Sequence, residues 1–73
     1  MDSQQRKTLQ SHLASLRGTP PPQHQMEALQ QSLKVNLVLY EQEQNEEGAA
    51  IYRPLVALAN EAKSVAEIEA LMR

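Results

Sequence analysis

The chain has no cysteine, no tryptophan and no phenylalanine, and its only large aromatics are Tyr40 and Tyr52. Without cysteine, neither a disulfide nor a thiolate metal site can staple the fold. The interior must be built from Leu, Ile, Val, Ala and Met, which suits close packing of helices. Glycine occurs only at Gly18 and Gly48, so no glycine-rich loop is present to cradle a phosphate. The serines lack the glycine context of a nucleophile elbow. No apolar run approaches the ~20 residues that a membrane-spanning helix needs. The opening segment MDSQQRKTLQ is polar and does not read as a signal peptide, so the expected location is cytoplasmic.

A basic stripe is also missing. The formal charge is −2 over 73 residues, whereas a nucleic-acid binder carries clustered cations to displace counterions from phosphate. The charge is uneven along the chain. Residues 1–34 hold Arg6, Lys7, Arg17 and Lys34 against Asp2 and Glu27, a net of +2. Residues 35–73 hold Arg53, Lys63 and Arg73 against seven glutamates, a net of −4. The two halves can attract, although screening makes surface attraction a matter of orientation more than stability.

What is present is helical periodicity. The pattern predicts an all-α protein, a small helical bundle or a helical hairpin with two short helices, in a single domain spanning residues 1–73. The first helix is expected over about residues 3–17, capped by Asp2 or Ser3, with Leu9, Leu13 and Leu16 on one stripe. Gly18 is suited to the left-handed position that ends a helix, and Pro20, Pro21 and Pro22 forbid its continuation. The second helix is expected from Pro22 to about residue 45, with Met26, Leu29, Leu33, Leu37 and Tyr40 as its stripe. Leu33, Val35, Leu37 and Leu39 also alternate as a strand would, but no second strand offers to pair with them. Asn36 is read as the wet edge of the stripe.

Residues 41–48 are polar and acidic. They read as the fading end of the second helix, disfavoured by the helix dipole, followed by a loop at Gly48. A third helix is expected over 51–62, with Ile51, Leu55, Leu58 and Ala62 inward and Pro54 in its first turn. A fourth is expected over 65–72, opened by Ser64 as cap and Glu67 reaching back, with Val65, Ile68, Leu71 and Met72 apolar.

No catalytic, cofactor-binding or metal-binding residues are expected. His12 and His24 flank the proline turn, but a metal site needs three or four ligands and none stands at suitable spacing. Both read as exposed histidines. Paired carboxylates for acid–base work would need burial, and the glutamates read as solvated. The chain is therefore expected to be a non-enzymatic helical interaction module, an adaptor, co-chaperone or regulator. Val35, Val38 and Leu39 exceed what one inward face can use, and with Tyr40 as anchor they form the expected contact. The expected partner is a second copy in a two-fold dimer, or a larger protein. Small-molecule substrates, membranes and nucleic acid are not expected. The competing class is a small transcriptional or phage-type regulator, for which Gln4, Gln5, Arg6 and Lys7 are the candidate contacts.

Residues 17–26, Arg-Gly-Thr-Pro-Pro-Pro-Gln-His-Gln-Met, resemble the turn of small co-chaperones of type III secretion needle subunits. In those proteins a helix ends at Arg-Gly and a Gln-aromatic-Gln opens a second amphipathic helix. Here His24 stands in place of the aromatic. The resemblance covers residues 9–40 and implies a helical hairpin that docks onto a larger chaperone partner. The third and fourth helices have no counterpart in it.

Overall fold

A computed structural model of the chain describes residues 2–16 and 21–72. It has four helices, α1 (Ser3–Ser15), α2 (Pro22–Gln42), α3 (Glu46–Glu61) and α4 (Val65–Leu71), and no strand among the described residues. Residues 33–40, where alternation competed with helix, are helical.

Each start has a chemical cause. Asp2 opens α1 through a reciprocal pair: its carboxylate accepts from the Gln5 amide at 2.8 Å, and Gln5 Oε1 accepts from the Asp2 amide at 3.1 Å. Pro22 opens α2, where a missing amide removes nothing. Ser64 Oγ accepts from the Glu67 amide at 3.2 Å to open α4. The Glu67 carboxylate reaches back one residue further than expected, to the Lys63 amide. The expected stop at Gly18 lies outside the described residues.

The largest departure from the sequence expectation lies between α2 and α3. Residues 41–48 are not a fading end and a loop. The α2 carbonyls are satisfied by a Schellman turn: Asn45 N–H donates to Tyr40 O at 2.8 Å and Gln44 N–H donates to Glu41 O at 3.1 Å. Gln44 takes the left-handed conformation at φ 57°. Asn45 then caps α3 at once, its side chain accepting from the Gly48 amide. Glu46 and Glu47 therefore sit in a first turn, where the helix dipole favours them. Starting at Glu46, α3 runs on through Pro54. Ala50 loses the bond Pro54 cannot donate, and both residues are exposed, on the wet side of the helix.

The early start rotates the inward stripe of α3. Ala49, Tyr52, Leu55 and Ala59 are buried, while Ile51, Leu58 and Ala62 flank the core instead of forming it. Leu9 and Leu13 from α1, Leu29 and Leu33 from α2 and Ile68 from α4 complete the core. The principal packing is α2 against α3, with α1 laid across both. Gln30 Nε2 adds a polar tie from α2, donating to the Ala59 carbonyl near the end of α3 at 2.9 Å.

Candidate functional site

Along α2, 100° per residue sends Leu29 and Leu33 to one side and Val35, Val38 and Leu39 to the other. The exposures agree. Leu29 and Leu33 are fully buried, whereas Val35, Val38 and Leu39 are 44%, 40% and 49% exposed. With Gln31 and Lys34 these three line a shallow, mostly apolar groove of about 230 Å³ on the outside of the molecule. Leu71 on α4 is the other large apolar side chain left substantially exposed among the described residues.

Tyr40, expected as the anchor of this face, is turned away from it. It packs inward, its ring centroid 5.5 Å from that of Tyr52, and it flanks the core. Gly48 explains the fit. It is buried, and a Cβ at that position would lie 2.5 to 2.7 Å from the Tyr40 ring carbons. The glycine is spent on close approach of α3 to a ring of α2, while the turn itself falls to Gln44. Asn36 is partly buried and donates to the Ser32 carbonyl of its own helix at 2.8 Å.

A second feature departs from the sequence expectation. His12 is partly buried instead of exposed, and it ties three helices together. Its Nδ1 lies 2.7 Å from Ser32 Oγ on α2, and its Nε2 lies 3.0 Å from Tyr52 Oη on α3. A neutral imidazole donates from one nitrogen and accepts at the other, and either hydroxyl can complement it. The ring also stands edge-on to Tyr52 at a centroid distance of 5.6 Å. Burial pushes His12 below the ordinary histidine range. Burial, and secondarily the neighbouring Tyr40, push the Tyr52 phenol up, so it stays protonated as a hydrogen-bonding group. Gln4, Lys7, Thr8, Ser11, His12 and Tyr52 border a polar groove of about 300 Å³ beside this junction. Both imidazole nitrogens are engaged by neutral hydroxyls, and among the described residues no carboxylate orients the ring as it would a general base.

His24 is exposed and lies 3.9 Å from Glu27 on its own helix. Among the described residues, no group of three or more His, Cys, Asp or Glu stands together to hold a metal ion. No helix of the described residues is long and apolar enough to cross a membrane. The remaining ion pairs centre on Arg53, which is closest to Glu46 and lies 3.6 Å from Glu41. Among the described residues no ion pair joins the basic first half to the acidic second half, so the charge asymmetry is not used that way. No family model, curated protein or solved structure matches the chain.

Proposed function

We propose that this chain is a non-enzymatic helical interaction module, an adaptor, co-chaperone or regulator of the cytoplasm. It works through the outer face of α2, and in isolation that face takes a second copy of the chain. The supporting observation is the exposure of Val35, Val38 and Leu39 together, on the side of α2 opposite the core. Fully burying one such side chain contributes roughly 1.5–3 kcal/mol, and each of the three still has close to half of that to gain. A contiguous apolar patch of this kind marks a contact site. Tyr40 is not part of the face, because it is committed to Gly48 and Tyr52.

Sedimentation equilibrium over about 1 µM to 1 mM tests the reading. The native chain is expected to associate with rising concentration. Val38→Glu with Leu39→Glu is expected to remain monomeric and fully helical, because a carboxylate cannot be buried cheaply without a partner. A native chain that stays monomeric throughout would remove the basis of the proposal.

A further inference from the structure

The contact face of α2 carries charge as well as apolar side chains, and the charges are spaced. Glu27, Lys34 and Glu41 recur every seventh residue. Seven steps of 100° return within 20° of the start, so all three lie on one flank of the exposed stripe. Lys34 is exposed, borders the same groove as Val35, Val38 and Leu39, and has no ion-pair partner among the described residues. Glu41 is half-exposed, and its one cation, Arg53, is held more closely by Glu46.

Resting on the reading that this face is a contact surface, we propose that its occupant is a second copy of the chain packed antiparallel. In that arrangement α2 lies on α2, and Lys34 of each copy meets Glu41 of the other. An antiparallel pair sets like flanks against each other, so the flank with Lys34 and Glu41 faces itself in reverse. The two-fold axis then passes between Leu37 and Val38, and Val35 of one copy lies within one turn of Val38 and Leu39 of the other. The apolar residues fix this register. Pairing Lys34 with Glu27 instead would slide Val35 and Val38 opposite residues 23–26, away from the other copy's apolar stretch. A parallel pair would set the charged flank against Ser32, Asn36 and Leu39, which supply no carboxylate. Two-fold symmetry makes each contact occur twice, which doubles the effect of a single exposed pair.

The test exploits charge exchange and the absence of cysteine. Lys34→Glu alone and Glu41→Lys alone each create two repulsive contacts, and each is expected to weaken self-association roughly tenfold. In an equimolar mixture, the carboxylate introduced in one variant faces the ammonium introduced in the other. The unchanged Lys34 and Glu41 of the two variants face each other at the symmetry-related contact. Both contacts are then attractive, so the mixture is expected to form heterodimers at native strength. In parallel, Val35→Cys is expected to cross-link to Val38→Cys faster than it does to itself. Circular dichroism checks that these surface variants fold. A dimer that is indifferent to both charge reversals, or fastest self-linking of Val35→Cys, would overturn the antiparallel register while leaving the contact face in place. A monomer in every sample would overturn the contact face as well.

Discussion

A histidine held between two hydroxyls keeps both hydrogen bonds in either protonation state, because Ser32 and Tyr52 can each donate or accept. Protonating His12 therefore does not break the junction. It places a positive charge in a partly buried site, with Lys7 along the adjoining groove and the hydroxyls of Ser32 and Tyr52 facing it. Burial lowers the His12 pKa in the folded state, so the unfolded chain binds the proton more readily. The contribution to stability is complete above about pH 6.5, the unfolded value, and declines as pH falls below it towards the folded value. One proton limits the slope to about 1.36 kcal/mol per pH unit. Urea titrations of the native chain and of His12→Gln between pH 8 and 5 check this. The native chain is expected to lose stability faster on acidification, and parallel curves would refute the assignment. No sequence signal points to this junction. Its members are 20 and 40 positions apart, and a lone histidine at the margin of a leucine stripe carries no periodic mark. The leucines themselves are legible, because Leu9, Leu13, Leu29 and Leu33 repeat with the helical period.

The α2–α3 connection shows how two local rules can be exchanged by packing. A glycine in an acidic, polar stretch is ordinarily where a helix stops, and Pro54 ordinarily marks a first turn. Here Gly48 is withheld from the turn because α3 must approach the Tyr40 ring, and Gln44 takes the left-handed residue in its place. Asn45 is the visible sign of the early start, since Asn followed by two acidic residues opens a helix. The exchange yields a pair of opposite effects. In the left-handed region Gln44 bears a strain of roughly 1–2 kcal/mol that glycine avoids, against roughly 0.4–1 kcal/mol of added freedom in the unfolded chain. Gln44→Gly is thus expected to stabilise by up to about 1 kcal/mol. Gly48→Ala improves helix propensity by about 1 kcal/mol, but forcing a methyl into the Tyr40 ring costs about 1–3 kcal/mol. The net expectation is destabilisation by about 1 kcal/mol. Chemical denaturation of both single variants checks the signs, and two changes of the same sign would contradict this account of the turn.

For the whole molecule, the question is how much of the stability one chain supplies. The radius of gyration is 11.8 Å, close to the ~11 Å expected for a compact chain of this length. Among the described residues, five large side chains, Leu9, Leu29, Leu33, Leu55 and Ile68, are fully buried. A core of that size in a chain without a staple rarely supplies more than about 3–5 kcal/mol. The surplus on the outside of α2 is legible in the sequence for the same reason the core is: a helix apolar on two sides has one side more than the bundle can cover. If a second copy covers it, folding and association are linked, and the melting temperature must rise with concentration. Where the dimer dominates, each tenfold increase adds about 1.4 kcal/mol per dimer, or half of that per chain. A stability change of 1 kcal/mol moves the melting temperature of a domain this small by about 4–8 °C. The native chain is therefore expected to melt about 3–5 °C higher per decade of concentration, and Val38→Glu with Leu39→Glu is expected to melt at one temperature throughout. Calorimetry across two decades separates the possibilities. A native melting temperature independent of concentration would mean that the four helices stand on their own core and that the exposed valines and leucine contribute nothing to holding the protein together.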